Sequence, residues 1–257
     1  MAPFEWLETT TGRRSPLEPP ARIDLSGDTH PGDFQKIGQE FLGHFIQLGG
    51  LRPDHRVLDV GSGCGRMAVP LTQFLLGGTY DGVEIIRESV RWSRRAITRR
   101  FPNFHFQHAD VANRAYNPEG PITADQYSFP FPDRTFDFVF LTSVFTHMRP
   151  PDVENYLRET ARVLRVGGAS FVTWFLLNDQ SLKSCATGKS DLSFDFEFGG
   201  FRSIDEEAPE RAVSYDEYYV RDLYSGNGLT CDVHYGSWSG SENSVSFQDI
   251  AIGRKIR

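Results

Sequence analysis

The sequence lacks most features that mark extracellular, membrane and nucleic-acid-binding proteins. It has only three cysteines, Cys64, Cys185 and Cys231, without a C-x-x-C pair, so neither a disulfide framework nor a zinc site is predicted. No apolar run is long enough to span a membrane, and Glu5 and Glu8 stand where a signal peptide would be basic. We therefore expect a cytoplasmic protein. The net charge of −7 argues against a nucleic-acid surface as the main partner.

What the sequence does contain is typical of a globular chain with a surplus of aromatic residues. Hydrophobic residues make up 39% and charged residues 24% of the 257 positions, which are ordinary proportions. This length is enough for one large domain or for a domain with a sizeable insertion. The 21 phenylalanines exceed what an average core requires, so some of them are expected to serve a binding site.

The most informative stretch is Val57–Ala68. A short apolar run that reads as a strand leads into glycines at every second position, Gly61, Gly63 and Gly65, and a helix follows. A turn of this kind directs backbone N–H groups toward a ligand, and glycine lets that ligand lie against the main chain. The spacing differs from the dinucleotide pattern G-x-G-x-x-G, because Arg66 stands at its sixth position.

This stretch resembles motif I of the class I S-adenosylmethionine-dependent methyltransferases, which has the form hydrophobic-Leu-Asp-x-Gly-x-Gly-x-Gly. The resemblance implies an α/β fold of the Rossmann-like, doubly wound type. Its mostly parallel seven-stranded sheet has helices on both faces and an antiparallel last strand. It also implies that S-adenosyl-L-methionine is the cofactor, with S-adenosyl-L-homocysteine as its product. Within the motif it assigns cofactor contacts to Asp59, Gly61, Ser62, Gly63, Cys64 and Gly65.

Two acidic residues extend the resemblance. Residues 79–84 read as a second strand ending at Glu84, where a carboxylate can accept hydrogen bonds from both ribose hydroxyls of an adenosyl group. Glu84 with Ile85 resembles motif II of the family. Asp110 follows a third strand, and the family counterpart of this residue accepts a hydrogen bond from the adenine amino group. Its neighbour Val111 is expected to pack on the ring.

The second half of the chain continues the same pattern. Residues 136–141 form an apolar run, as expected for a central parallel strand. The end of this run resembles motif IV, and the resemblance assigns cofactor contacts to Leu141 and Thr142. Residues 161–168 resemble the R-V-L-K-P-G-G element of the family, with Val166 in the usual place of proline. We predict an irregular N-terminal arm at 1–32 and a methyltransferase domain at 33–257, with a lid inserted at about 177–214.

His147 is the leading candidate for a general base. It lies just after the fourth strand, where catalytic groups gather in open α/β sheets, and its ordinary pKa of about 6.5 suits proton transfer near neutrality. The alternative is a structural histidine that ties this loop to the next helix. No metal is predicted, because Asp133 and Asp137 occupy positions usual for the family instead of forming a carboxylate cluster.

The surplus aromatics suggest an apolar acceptor, with Phe129, Phe131, Phe196 and Phe198 as candidate substrate-binding residues. We favour O-methylation of a small lipophilic or glycosylated molecule in secondary metabolism. An alternative is C-methylation of an electron-rich carbon such as an isoprenoid, with Arg87 and Arg91 holding a diphosphate. These arginines otherwise belong to a solvated helix face, and the phenylalanines otherwise build a core of the lid itself.

Two further functions belong to other classes. A nicotinamide-dependent oxidoreductase would share the first strand, turn and helix, but Arg66 and the matches at Asp110 and 161–168 disfavour it. A non-catalytic S-adenosylmethionine-binding protein would share every donor-side residue. The sequence leaves open the acceptor, the atom that is methylated and the oligomeric state.

Overall fold

The computed structural model describes residues 15–24 and 32–257. Most of the predicted N-terminal arm lies outside the described residues, and of that arm only 15–24 and residue 32 fall within them. The chain divides into two compact units. The first runs to Asp110 and includes Arg114–Pro118, and the second comprises Val111–Asn113 and Glu119–Arg257.

The first unit is built on three parallel strands in the order β1-β2-β3. They are β1 (Arg56–Val60), β2 (Thr79–Glu84) and β3 (Phe104–His108). Its helices are α1 (Asp33–Gln47), α2 (Ala68–Phe74) and α3 (Arg87–Ser93), and α3 continues as a π-helical turn over Arg94–Thr98. Tyr80 holds the strands together, because its buried ring stacks on Phe104 at 5.0 Å between ring centres and tilts against Phe106.

The second unit carries four strands in the order β10-β11-β5-β4. They are β4 (Phe136–Leu141), β5 (Leu164–Trp174), β10 (Asp232–His234) and β11 (Asp249–Arg254), with helices α4 (Pro150–Val163) and α6 (Glu217–Gly226). β4 and β5 are parallel, whereas β11 runs antiparallel to β5 and β10 antiparallel to β11. Every residue of β4 is buried, as its apolar sequence predicts. The mostly parallel seven-stranded sheet with antiparallel last strands confirms the predicted fold class.

A small second sheet occupies much of the segment predicted as a lid. It has four strands in the order β6-β9-β8-β7. These are β6 (Leu176–Leu177), β7 (Phe196–Phe198), β8 (Phe201–Ser203) and β9 (Val213–Asp216), and α5 (Asp179–Ala186) follows β6. Phe194 belongs to a buried cluster with Phe175 and Trp238. This phenylalanine therefore contributes to a core that the segment shares with Phe175 and Trp238, which lie outside it.

Asp249 anchors the first residue of this sheet. Its buried carboxylate accepts hydrogen bonds from the Leu176 amide, the Gly236 amide and the Trp238 indole, all at 2.7–2.8 Å. Burial raises the pKa of Asp249 to about 6, although the three donors oppose this shift. One carboxylate thus fixes the backbone between the end of β5 and the start of the small sheet.

Candidate cofactor and catalytic site

The glycine-rich loop has a backbone conformation that favours glycine at all three alternate positions. Gly61, Gly63 and Gly65 all have positive φ, at 84°, 51° and 85°, a region that side chains with a Cβ rarely occupy. A Cβ on Gly65 would lie 2.5 Å from Ile97 Cδ1, so this glycine permits close helix packing. A Cβ on Gly63 would meet no described atom within 4 Å. Gly63 therefore leaves open space beside its main chain.

Glu84 holds this loop through its carboxylate. Oε2 accepts a hydrogen bond from the Gly63 amide at 2.6 Å, and Oε1 accepts one from the Ile86 amide at 2.8 Å. The side chain is 5% exposed, and burial raises its pKa while the amides of Ile86, Gly63 and Ile85 lower it. Because each carboxylate oxygen has two lone pairs, Glu84 can still accept hydrogen bonds from two hydroxyl groups. Ile85 is half-buried beside it.

Asp59 is turned toward the strands. It is buried, and its Oδ2 accepts a hydrogen bond from the Tyr80 hydroxyl. Its Oδ1 has no hydrogen-bond partner among the described residues. Burial and, to a smaller extent, the nearby Glu84 raise the pKa of Asp59 to about 8, although the hydrogen bond from Tyr80 opposes this shift. The amides of Gly61, Ser62 and Gly63 bond to Val83 and Glu84 rather than to Asp59.

Cys64 and Ser62 are both buried within the loop. The Cys64 thiol donates to the Ile23 carbonyl at 3.1 Å, so the segment 15–24 lies against the loop. Burial raises the pKa of this thiol to about 12, which keeps it protonated. The Ser62 hydroxyl has no partner among residues 15–24 and 32–257.

Asp110 is exposed at the end of β3, where it has two polar neighbours. Its Oδ1 accepts a hydrogen bond from Asn117 at 3.0 Å, and its Oδ2 lies 3.6 Å from the Arg87 guanidinium. An adenine amino group would compete with Asn117 for this carboxylate. Val111, assigned to the second unit, is buried and pairs with Ile122 in an isolated parallel bridge.

The end of β4 contains a strained residue that sequence reasoning missed. Leu141 is buried and Thr142 is half-buried, and the next residue, Ser143, has a φ of 55°. The Ser143 amide donates to Thr173 Oγ1 at 2.7 Å and its hydroxyl donates to Gln248 Oε1 at 3.1 Å. Positive φ in a residue other than glycine is concentrated at functional sites. Only its place directly after the motif IV strand could have drawn attention to it.

His147 lies on an exposed turn of the second unit. Its Nδ1 is 2.9 Å from the carbonyl oxygen of Glu210. Because a carbonyl can only accept, Nδ1 carries the hydrogen of this bond, and in the neutral ring Nε2 keeps a free lone pair. The Glu210 carboxylate in turn pairs with Arg149. The arrangement fits a base with an oriented ring, and it equally fits a histidine that links two loops.

The four candidate substrate-binding phenylalanines occupy two different places. Phe129 is buried edge-on against Tyr156 at 5.2 Å, and Phe131 packs edge-on against Phe136 at 4.9 Å. Phe198 stacks on Phe201 at 5.0 Å across the β7–β8 hairpin, and Phe196 on the same hairpin is exposed. The described contacts therefore do not unite all four in one cluster.

An aromatic row links the β7–β8 hairpin to the turn that carries His147. Phe201 lies against Tyr215, and Tyr215 stacks on Tyr219 at 5.9 Å between ring centres. The Tyr215 hydroxyl donates to the carbonyl of Met148 at 2.6 Å, one residue after His147. Burial raises the pKa of Tyr215 above its ordinary range, so it acts as a hydrogen-bond donor.

The part of the chain that the structure describes contains neither a membrane-spanning helix nor a metal-binding cluster. None of its helices combines the length and apolar character needed to cross a membrane. Across residues 15–24 and 32–257, no group of three or more His, Cys, Asp or Glu side chains could hold a metal ion.

Comparison with known proteins finds similarity to methyltransferases. Residues 58–172 match the family model described as Methyltransferase domain. The ubiquinone/menaquinone biosynthesis C-methyltransferase of Teredinibacter turnerae is 28% identical over 162 residues, which are 63% of this chain and 58% of that protein. The 27-O-demethylrifamycin SV methyltransferase of Amycolatopsis mediterranei is 33% identical over 127 residues, which are 49% of this chain and 41% of that protein.

The fold comparison agrees. A crystal structure of an S-adenosylmethionine-dependent methyltransferase from Aquifex aeolicus matches with a TM-score of 0.57 and 18% identity, covering 93% of this chain and all of that chain. The resemblance to class I methyltransferases is thereby confirmed. The chain spans only about half the length of the curated relatives it matches.

Proposed function

We propose that this chain, whose residues 58–172 match the family model described as Methyltransferase domain, is an S-adenosylmethionine-dependent methyltransferase acting on a small molecule. The observation that carries the proposal is the Glu84 carboxylate bonded to the Gly63 amide at the end of β2. Glycine loop and acidic residue thus meet in the first unit, as recognition of an adenosyl group requires. The comparisons support S-adenosylmethionine as the cofactor.

The residues present fit this cofactor. Gly63 has no Cβ, so a ligand can lie against its main chain in the open space there. The Glu84 carboxylate has lone pairs left to accept hydrogen bonds from ribose hydroxyls. Asp110 offers an exposed carboxylate to an amino group. When bound, the cofactor supplies an electrophilic methyl group on a sulfonium ion. Burial and the neighbouring Glu84 raise the pKa of Asp59, which favours its neutral form and so limits the buried negative charge beside Glu84.

We assign the proton-accepting role to His147. Nε2 of its oriented ring takes a proton from an acceptor hydroxyl, and the Glu210 carbonyl stabilises the resulting imidazolium through Nδ1–H. O-methylation is accordingly the favoured reaction, in the biosynthesis of a secondary metabolite. The apolar hairpin residues Phe196 and Phe198 are proposed to contact the acceptor, as part of a lid at about 177–214.

C-methylation is the second candidate, because one curated relative carries C-methyltransferase in its name. An electron-rich carbon loses its proton only after the new bond forms, so this reaction also uses a base. The two reactions differ in the acceptor, and the acceptor panel of the experiment below separates them.

Two measurements test the proposed function. Isothermal titration with S-adenosylmethionine, and separately with NAD, identifies the cofactor, and binding of NAD alone would overturn the assignment. Transfer of a labelled methyl group to a panel of lipophilic alcohols, glycosides and prenyl compounds then tests catalysis. Saturable binding of the cofactor without any product would favour a non-catalytic binding protein.

A further inference from the structure

A cavity of about 360 Å³ in the second unit lies outside every residue assigned to the cofactor or the acceptor. It is bounded by the end of α4, by the end of α6 and by residues 255–257. Its charged lining side chains are all cationic, namely Arg158, Arg162, Lys255 and Arg257. No aspartate or glutamate side chain lines it, although the chain as a whole carries a net charge of −7.

Two of these four cations have structural partners. Arg162 forms ion pairs with Glu159 at 2.7 Å and with Asp133 at 2.9 Å. The Lys255 ammonium donates to the carbonyls of Ala161 and Leu164 at 2.6 and 2.7 Å, where it caps the end of α4. An ammonium has three donors, so one N–H of Lys255 is not used by these carbonyls.

The cavity holds more positive charge than its acidic neighbours offset. Burial lowers the pKa of Lys255, and the nearby guanidinium groups of Arg134 and Arg162 lower it further, while Asp133 opposes them. A lysine destabilised by neighbouring cations is a group that a bound anion would stabilise.

The other two cations form no ion pair within 4 Å among the described residues, although the Arg158 guanidinium lowers the pKa of the nearby Glu159. Arg158 donates through Nη2 to the amide oxygen of Asn155, a neutral group. Arg257 lies across Gly228, where a Cβ would be 3.6 Å from its Cγ, and the Ile256 amide bonds to the Gly228 carbonyl at 3.0 Å. Neither guanidinium pairs with a carboxylate within residues 15–24 and 32–257. The end of α6 does not need them either, because the amides of Gly228 and Leu229 cap it.

We propose that this cavity binds an anion with a diphosphate group. Guanidinium groups present paired donors that match phosphate oxygens, and Arg158 and Arg257 supply two such forks beside the free donor of Lys255. A diphosphate would offset the positive charge that Arg158, Lys255 and Arg257 leave unbalanced. The site does not depend on the proposed methyltransferase activity, because it shares no residue with the donor loop.

The test is titration calorimetry of the full chain with inorganic pyrophosphate at an ionic strength held constant with sodium chloride. We expect saturable binding that Arg158→Gln and Arg257→Gln each weaken about tenfold or more, since each removes hydrogen bonds to a charged group. Arg254→Gln is the matched control. It lies on the same terminal segment, is exposed and does not line the cavity, so its affinity should equal that of the wild type.

A second titration, with ADP, identifies the source of the diphosphate. Tighter binding of ADP indicates a nucleotide ester, whereas tighter binding of pyrophosphate indicates the free anion. The proposal is overturned if pyrophosphate does not bind saturably, if the two variants bind it as the wild type does, or if Arg254→Gln weakens binding equally. Circular dichroism verifies that each variant is folded. If Arg158→Gln does not fold, the affinity of Arg257→Gln for pyrophosphate alone decides whether the proposal stands.

Discussion

The Gly63 amide donates to the Glu84 carboxylate at 2.6 Å, so the residue that is proposed to bind the ribose also fixes the shape of the loop. Glu84 makes a second backbone contact with Ile86, at the start of α3. Loop, strand end and helix start are thereby joined through one buried side chain. Loss of that carboxylate should affect both ligand binding and local stability.

We expect Glu84→Gln to weaken S-adenosylmethionine binding by about 1.5–3 kcal/mol, the scale of hydrogen bonds to a charged group. The new amide would also place N–H donors against the Gly63 or Ile86 amide, so the melting temperature should fall. Glu88→Gln is the control, because Glu88 is exposed on the neighbouring helix α3 and forms a surface ion pair with Arg22. Titration calorimetry and thermal melting measure both effects. Unchanged affinity in Glu84→Gln would remove this residue from the cofactor site.

The Gly63→Val substitution separates backbone strain from loss of the binding surface. Gly63 has a φ of 51° and an open Cβ position, and we expect valine there to abolish cofactor binding by filling the space of the ligand. Gly188 has a φ of 66° with an equally open Cβ position, so Gly188→Val adds a similar strain away from the loop. Of these two variants, only Gly188→Val should bind S-adenosylmethionine in titration calorimetry. Retained affinity in Gly63→Val would reject the assignment of the loop.

The fold was predictable from sequence because the patterns of its central segments, an apolar run and alternate glycines, each indicate a single local structure. The apolar run at 136–141 is buried throughout, and the alternate glycines at 61, 63 and 65 all require positive φ. The resemblance could not reveal pairings between distant residues. Tyr80 reaches Asp59 only because the register of β1 and β2 places Val57 opposite Tyr80. Likewise, Asp249 contacts Leu176 across 73 positions of sequence, which no local pattern indicates.

The buried Asp59 should make stability depend on pH. Its folded-state pKa of about 8 lies far above the value near 3.9 of an unfolded chain, so the folded state binds more protons between these values. The free energy of unfolding should therefore fall as pH rises from about 4 to 8, by at most about 1.4 kcal/mol per pH unit from this group. Asp59→Asn keeps an acceptor for the Tyr80 hydroxyl and removes the titration.

Urea denaturation at several pH values measures this effect. The slope of unfolding free energy against pH should flatten in Asp59→Asn and should stay unchanged in Asp232→Asn, whose carboxylate is exposed. Parallel wild-type and Asp59→Asn profiles would mean that Asp59 is ionised in the folded state.

Asp249 should be one of the costliest positions to change in the second unit. In Asp249→Asn one oxygen becomes an NH2 group, which faces a backbone or indole N–H instead of accepting from it. We expect a loss of about 2–4 kcal/mol, because buried donors are left without acceptors. Urea denaturation gives the loss. A loss below about 1 kcal/mol would show that these donors find other partners.

His147→Ala should lower turnover while leaving cofactor affinity nearly intact. Removal of a general base typically costs about 10²–10⁴ in rate. The loss should be largest near neutral pH and should shrink at high pH, where an acidic acceptor hydroxyl ionises without help. Arg149→Gln is the control, because it breaks the neighbouring ion pair with Glu210 and keeps the imidazole. If His147 is structural, both variants should instead lose stability while the pH–rate profile changes little. A kcat of His147→Ala equal to that of the wild type would exclude the catalytic role.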